Sequence, residues 1–146
     1  MERAILLVED NADDEALTLR ALARNHIANP VIVARDGAEA VALLLGTPDR
    51  PATGPLPALI LLDLKLPKLD GFEVLQRLRA EPRTRRVPIV ILTSSRQECD
   101  LVEAYERGAN SYVRKPVDFA QFLEAVGRLG LFWLMLNEPP PEVAGA

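Results

Sequence analysis

The amino-acid sequence predicts an α/β fold in which a doubly wound parallel sheet carries helices on both faces. Two observations support this fold class. Continuous apolar runs, typical of buried parallel strands, recur along the chain. Helical patterns lie between these runs, so that strand and helix alternate five times with short connections. With 146 residues, 49% of them hydrophobic, the chain suits one domain with a substantial core.

Four of the apolar runs end in polar residues that suit phosphoryl chemistry. They are residues 5–8 before Glu9 and Asp10, residues 59–62 before Asp63, residues 88–92 before Thr93, and residues 112–114 before Lys115. Ligands of open parallel sheets bind outside the carboxyl ends of the strands. The sequence therefore predicts three carboxylates, a hydroxyl and an ammonium group at one edge of the sheet.

Side-chain caps and breakers mark the helices between the strands. The predicted N-caps are, in chain order, Asn11 or Asp13, Asp36, Asp70 and Asp118. A fourth helix is predicted from about residue 97 to residue 107, where Gly108 ends it. The longest connection spans residues 46–57, and its prolines and glycines indicate a surface loop.

Composition excludes several classes of protein. A net charge of −4 argues against nucleic acid as the main partner. A helix that crosses a bilayer needs about 20 apolar residues, and every apolar stretch of this sequence is much shorter. The acidic pair Glu9 and Asp10 would not occur in a signal peptide. The single cysteine, Cys99, cannot form an internal disulfide, so we expect a cytoplasmic protein. The only histidine, His26, lies alone in the first helical pattern, which disfavours a metal bound through imidazole.

The residues at the strand ends suggest a metal-assisted reaction. Glu9, Asp10 and Asp63 would form an oxygen-rich, negative pocket that suits Mg²⁺. Once a cation neutralises the oxygens, a carboxylate can attack a phosphoryl group in line and form an acyl phosphate. Thr93 can donate a hydrogen bond to that group, and Lys115 can pair with it as a point charge.

Four motifs carry a family resemblance: ILLVEDN at residues 5–11, LLDLKLPKLDG at 61–71, LTS at 92–94 and YVRKP at 112–116. Together they resemble the receiver domain of two-component response regulators over roughly residues 3–130. The resemblance implies the flavodoxin-like (βα)5 fold, with strand order 2-1-3-4-5. It also implies that Asp63 is the phosphorylated residue, that Glu9 and Asp10 form the Mg²⁺-binding pair, and that the backbone carbonyl of Lys65 is a further ligand.

The resemblance extends to the residues that respond to phosphorylation. Thr93 and Tyr112 match the switch residues of the family, and we expect Tyr112 to turn inward when Asp63 is phosphorylated. Lys115 matches the lysine that precedes a proline, here Pro116, across a cis peptide bond in the family. The separations of 30 residues from Asp63 to Thr93 and 22 from Thr93 to Lys115 fit this pattern without insertion.

A finer resemblance is to stand-alone response regulators paired with phytochrome-type histidine kinases. It rests on residues 62–68, the long loop at 46–57 and the Phe-Trp-Leu run at 132–134. The chain departs from that group at Lys65, where asparagine is expected. A ligand supplied by a backbone carbonyl survives this change, but the lifetime of the acyl phosphate becomes an open question.

We therefore predict a single-domain response regulator that takes a phosphoryl group from a histidine kinase on Asp63. It would catalyse only its own phosphorylation and dephosphorylation, and would signal by protein binding. Alternatives are a docking module that is never phosphorylated, and a phosphate sink or shuttle in a phosphorelay. A dehalogenase-type phosphatase is disfavoured because Lys65 stands where a second aspartate is needed. A flavin mononucleotide carrier is disfavoured because the acidic residues 9–14 would repel its phosphate.

The carboxyl-terminal segment predicts a homodimer. Residues 1–130 form the expected receiver domain, and residues 131–146 an extension that is first hydrophobic and then proline-rich. The residues expected at a dimer or partner contact are Leu131, Phe132, Trp133 and Met135. Residues 131–136 are apolar on every side of a helix, so one domain core cannot bury them all. The alternative is that the segment folds back over its own domain.

Overall fold

The computed structural model describes residues 3–52, 55–115, 118–136 and 141. Strands and helices alternate through this part of the chain. The strands are β1 (Ile5–Val8), β2 (Val31–Ala34), β3 (Leu59–Leu62), β4 (Ile89–Thr93) and β5 (Ser111–Arg114). The helices are α1 (Ala12–Arg24), α2 (Gly37–Leu45), α3 (Gly71–Ala80), α4 (Glu98–Glu106) and α5 (Phe119–Gly130), and α5 continues into a π-helical segment, Leu131–Leu136.

The five strands form one parallel sheet in the order β2-β1-β3-β4-β5. The register pairs Val8 with Ala34 on one side and with Leu62 on the other, and it pairs Leu62 with Ile91. These pairings align the last residues of neighbouring strands, so the carboxyl ends of β1, β3 and β4 meet at one edge. The predicted fold class and strand order are confirmed.

The core consists of two layers, one on each face of the sheet. One cluster of buried side chains lies between the sheet and α2, α3 and α4, and the other lies between the sheet and α1 and α5. Because successive strand residues point to opposite faces, Leu6 and Val8 join the first cluster whereas Ile5 and Leu7 join the second. Burial on both faces explains why β1, β3 and β4 read as uninterrupted apolar runs.

Side-chain caps begin most of the helices where the sequence predicts them. The capping carboxylate or amide oxygens of Asn11, Asp36, Asp70 and Asp118 each accept a hydrogen bond from a backbone amide two or three residues further on. Gly108 follows α4 with a φ of 107°, a left-handed conformation that favours glycine. His26, expected inside the first helix, instead lies just beyond α1 as an exposed turn residue with a φ of 58°.

Candidate functional site

The sheet itself positions the candidate residues, because its hydrogen bonds continue past the strand ends. The Asp63 amide donates to the carbonyl of Val8 at 3.1 Å, and the Lys115 amide donates to the carbonyl of Thr93 at 2.7 Å. The Glu9 amide donates to the last residue of β2 at 2.9 Å. These residues therefore sit on the rigid edge of the sheet rather than on free loops.

The three acidic residues of the sequence prediction come together at this edge. Carboxylate oxygens of Glu9, Asp10 and Asp63 lie within 4.8 Å of one another. Their exposure differs: the Glu9 side chain is 2% exposed and that of Asp63 12%, whereas Asp10 is exposed. The Asn11 amide, 3.3 Å from Oε2 of Glu9, adds a donor beside the buried carboxylate. An oxygen-only group of this kind, open to solvent on one side, suits a hard divalent cation.

Lys115 brings a positive charge into the same pocket. Its Nζ lies 3.0 Å from Oδ2 of Asp14 and 3.3 Å from Oδ2 of Asp63, and it also bonds Oε1 of Glu9. The ammonium group thus contacts the predicted phosphoryl acceptor, Asp63, and Glu9 at the same time. An ammonium has three N–H donors, and three carboxylates accept them here.

Burial sets the protonation of this cluster. Burial of the carboxylate raises the pKa of Glu9 to about 7, and the nearby charge of Asp63 acts in the same direction, whereas the hydrogen bond from Lys115 opposes the shift. Burial by itself lowers the pKa of Lys115, but the hydrogen bond to Glu9 and the charges of Asp63 and Glu9 outweigh it, so that pKa is raised. Lys115 therefore stays an ammonium near neutral pH.

The two predicted switch residues lie on β4 and β5. Thr93 is buried at the end of β4, and its Oγ1 lies 3.4 Å from the amide of Ser95. The hydroxyl of Tyr112 donates to the carbonyl of Ser95 at 3.4 Å, and its ring packs against the core. The ring is partly buried, and the inward turn of Tyr112 on phosphorylation stays a prediction. Both residues thus contact the segment that connects β4 to α4.

Lys65 and Gly71 shape the other side of the pocket. Lys65 is exposed, and its backbone nitrogen lies 3.5 Å from Oδ1 of Asp63. The amide of Gly71, the first residue of α3, donates to the carbonyl of Leu64 at 2.8 Å. A Cβ at Gly71 would lie 2.6 Å from Cα of Leu64, so only glycine allows α3 to approach the backbone beside Asp63 this closely. The Lys115–Pro116 bond, expected to be cis, lies outside the described residues.

The sequence interpretation missed one residue of the cluster, Asp14. Asp14 lies in the acidic first turn of α1, where a carboxylate favours the helix dipole, and the sequence pattern indicates it only as part of the acidic run 9–14. The signal that could have found it is position: α1 starts directly after the acidic pair Glu9 and Asp10, so its first turn must pass beside the pocket.

The predicted dimer contact lies at the end of α5. Leu131 and Phe132 are 51% and 48% exposed, whereas Trp133 and Leu134 pack in part against the core cluster of α1 and α5. A groove of about 440 Å³ is lined by residues of β5 and α5 and by Phe132 and Trp133. The side chain of Met135 lies outside the description. Within the described ranges, no helix combines the length and apolarity needed to cross a bilayer.

The fold and this edge of the sheet define a receiver. The chain belongs to the response regulator receiver domain family, whose model matches residues 5–127. This match includes both acidic residues after β1, Asp63, Thr93 and Lys115.

Among individual relatives, Response regulator Rcp1 of Synechocystis sp. is 39% identical over 90% of this chain and 89% of its own. The phosphorylated cyanobacterial phytochrome response regulator RcpA superposes with a TM-score of 0.88 at 38% identity, over 97% of this chain and all of its own. The bacteriophytochrome response regulator AtBRR is 53% identical over 94% of this chain and 99% of its own, with a TM-score of 0.74. Rcp1 has also been solved in an Mn²⁺-bound form.

Proposed function

We propose that this chain is a response regulator whose Asp63 accepts a phosphoryl group from a histidine kinase in a Mg²⁺-dependent reaction. One observation carries the proposal: the carboxylates of Glu9, Asp10 and Asp63 lie within 4.8 Å of one another, with the ammonium of Lys115 3.3 Å from Asp63. Groups with a perturbed pKa, here Glu9 and Lys115, cluster at functional sites.

Glu9, Asp10 and Asp63 would hold the Mg²⁺ ion, with the backbone carbonyl of Lys65 as a further ligand. The donor set fits, because the group offers carboxylate oxygens and no imidazole or thiol. When bound, the ion would neutralise the pocket and polarise the oxygens of the incoming phosphoryl group. The existence of an Mn²⁺-bound form of Rcp1 supports divalent-cation binding by this chain.

Asp63 is the nucleophile in this proposal. One of its carboxylate oxygens attacks phosphorus in line, so that an O–P bond forms while the P–N bond to the histidine of the kinase breaks. The electron pair of the broken bond stays on the imidazole nitrogen. Thr93 donates a hydrogen bond to a phosphoryl oxygen, and Lys115 pairs with another as a fixed positive charge.

Output would come from the segment between β4 and α4. A Thr93 hydroxyl that turns toward the phosphoryl group gives up its place beside the Ser95 amide, and the Ser95 carbonyl is held by Tyr112. Displacement of this segment would therefore be passed to Tyr112 and to the surface formed by α4, β5 and α5. Phosphorylation-dependent binding of a protein to that surface is the signal we assign to the molecule.

The partner we propose is a sensor histidine kinase of the phytochrome type. RcpA and AtBRR, which are named as phytochrome and bacteriophytochrome response regulators, support this assignment. The cytoplasmic location expected from the sequence belongs to the same proposal. A docking module that is never phosphorylated and a phosphate sink in a phosphorelay remain the competing functions. Phosphoryl labelling of the chain would exclude the docking module. A protein that binds only the phosphorylated chain would exclude the phosphate sink.

We also propose that the chain forms a homodimer through its carboxyl-terminal segment. The support is the exposed apolar pair Leu131 and Phe132 beside a groove along β5 and α5, which Glu124 and Arg128 also line. Aromatic residues such as Phe132 and Trp133 are enriched at such contacts, and a closed two-fold pair is the commonest assembly. The occupant we assign to this surface is the same segment of a second copy.

The test of the main function is labelling with acetyl phosphate, followed by intact mass. Asp63→Asn should abolish the labelling. Asp10→Asn should chiefly weaken Mg²⁺ binding, which a calorimetric Mg²⁺ titration measures, and should therefore raise the Mg²⁺ concentration that labelling requires. Asp49→Asn, an exposed aspartate in the loop before β3, is the control and should label normally. Undiminished labelling of Asp63→Asn would contradict the assignment.

A further inference from the structure

Asp14 is a partner of Lys115 that the proposed chemistry does not use. It lies in the first turn of α1, where its amide donates to the side chain of Asn11 at 2.9 Å. Its Oδ2 accepts a hydrogen bond from Nζ of Lys115 at 3.0 Å, a shorter distance than the 3.3 Å from Nζ to Asp63. The N-terminal cap of α1 thus fixes a carboxylate beside the ammonium group.

The donors of Lys115 are fully engaged in this arrangement. Its three N–H groups face Glu9, Asp14 and Asp63, so a phosphoryl oxygen can gain a donor only if one carboxylate gives one up. Glu9 is almost fully buried, and leaving its carboxylate without a partner would be costly. Asp14 is 39% exposed, so water can replace the ammonium there at little cost.

Asp14 also differs from the other two carboxylates in its relation to a cation. Glu9 and Asp63 belong to the acidic group that suits Mg²⁺, whereas Asp14 lies outside that group. A cation held by that group would weaken the attraction of Glu9 and Asp63 for the ammonium, but it would leave the attraction of Asp14 largely intact. Asp14 is then the principal competitor of the phosphoryl group for Lys115.

We propose that Asp14 is a positioning residue that competes with the phosphoryl group for a donor of the Lys115 ammonium and thereby weakens the hold of the site on the phosphoryl group. This inference rests on the proposed function of Asp63. Loss of the Asp14 charge frees a donor of Lys115, so the affinity for beryllofluoride, which stands in for the phosphoryl group, should rise about two- to five-fold, the range of a partly exposed ion pair.

The experiment measures beryllofluoride affinity at saturating Mg²⁺ in Asp14→Asn and in a matched control, Asp13→Asn. Asp13 lies in the same turn of α1 and is exposed, so its replacement removes the same charge without touching Lys115. Both variants are repeated with Lys115→Met. The affinity gain of Asp14→Asn over Asp13→Asn should disappear in that background, because no ammonium is left to release.

A second readout uses the metal-free protein and no phosphoryl analogue. The ¹⁵Nζ resonance of Lys115 should shift in Asp14→Asn and stay in place in Asp13→Asn. Equal beryllofluoride affinities of Asp14→Asn and Asp13→Asn, or a gain that persists with Lys115→Met, would overturn the role proposed for Asp14. Neither result would affect the function proposed for Asp63. Failure of the unaltered protein to bind beryllofluoride would instead overturn the function proposed for Asp63, and this inference with it.

Discussion

The ammonium of Lys115 balances a pocket that would otherwise hold several uncompensated carboxylates. Its bond to Glu9 is a nearly buried ion pair, and such pairs commonly cost as much in lost hydration as they gain in attraction. Stability alone is therefore a weak reason for placing these charges together. Their common position beside Asp63, at the carboxyl ends of parallel strands, is better explained by chemistry on a charged ligand.

A prediction at this scale concerns Lys65, which follows Asp63 by two residues and is exposed. An ammonium over the phosphoryl oxygens would hinder the attacking water. Lys65→Asn should therefore shorten the lifetime of the acyl phosphate about two- to five-fold, as expected for an exposed charge, and leave Mg²⁺ binding intact. Decay of the label after removal of acetyl phosphate measures it.

Lys68→Asn is the matched control for this prediction. Lys68 lies in the same loop, is exposed, and has a φ of 67°, which asparagine tolerates well. Its removal takes away the same charge from a position farther along the loop and should leave the lifetime unchanged. Decay of Lys65→Asn at the rate of the unaltered protein would make Lys65 an ordinary surface residue.

The sequence predicts the location of those site residues that directly follow a strand. Asp63, Thr93 and Lys115 follow apolar runs directly, and the parallel sheet converts those sequence positions into one place in space. The position of Asp14 beside the pocket could be predicted from the start of α1, but its bond to Lys115 and the contact of Tyr112 could not, because they depend on the direction of side chains across elements distant in sequence. The carbonyl of Lys65 as a metal ligand stays a prediction.

Among the elements, α5 presents a glycine, Gly127, to the end of α1. A Cβ at Gly127 would clash with Oδ1 of Asn25, at the end of α1, and would lie 3.1 Å from its Cγ. The Asn25 amide cannot move aside freely, since it donates to the carbonyls of Ala21 and Leu123 at 2.8 and 2.9 Å. Asn25 thus ties the two helices together over the glycine.

Gly127→Ala should accordingly destabilise the protein by about 1–3 kcal/mol, as overpacking does, although alanine in an exposed helix normally stabilises by about 1 kcal/mol. Urea unfolding measures the change. In an Asn25→Ala background the clash is absent, and the same Gly127→Ala change should become stabilising. A stabilising effect in the unaltered background would show that the contact is not tight.

Arg79 links α3 to the segment that follows α4. Its guanidinium donates to the carbonyls of Gly108, Val87 and Arg85 at 2.8, 2.7 and 3.0 Å, and to Oδ1 of Asn110 at 2.7 Å. A lysine cannot reproduce this fork of donors. Arg79→Lys should lower the free energy of unfolding by about 2 kcal/mol, because the partly buried carbonyls of Gly108 and Val87 lose their partner.

Arg77→Lys, two residues earlier on the same helix, is the control for Arg79. Arg77 is exposed and pairs only with Glu73 at 3.4 Å among the contacts of the described residues. Its replacement should change the free energy of unfolding by less than about 0.5 kcal/mol. Equal effects of the two changes in a denaturant titration would show that the Arg79 network adds nothing.

The helices and most strands were predictable because local signals agree with the fold. Caps such as Asp36 and Asp70 begin helices at the expected residue, and β1, β3 and β4 read as continuous apolar runs since both faces are covered. The edge strand β2 lacks these signals, because it is not buried on both faces, as the exposed Ile32 shows, and no candidate site residue follows it. Its place followed only from the alternation of elements.

For the whole molecule, the question is what covers the apolar end of α5. Trp133 packs in part against its own domain, whereas Leu131 and Phe132 are half exposed. A monomer would leave these side chains and the adjoining groove in water, which favours association. Homodimerisation is therefore the prediction at this scale.

Sedimentation at micromolar concentration should show a dimer for the full chain and a monomer for a version that ends at Leu129. Because that truncation also removes Trp133 from the core, Phe132→Asp provides a gentler test and should weaken the dimer as well. Leu43→Asp, at a side chain 49% exposed on α2, is the control and should leave the dimer intact. A monomeric full chain, or dimers of unaltered strength in Phe132→Asp, would contradict the proposal.

The most direct test of the account is to locate the phosphoryl group in the chain. The protein is incubated with acetyl phosphate and Mg²⁺ and then reduced with borohydride, which converts the acyl phosphate of an aspartate to homoserine, and peptides are mapped by mass. If Asp63 is the phosphorylated residue, homoserine should be found at position 63, and only in the samples that contained the divalent cation. Modification at Glu9 or Asp10 instead of Asp63, equal labelling without the cation, or no modification at all would contradict it.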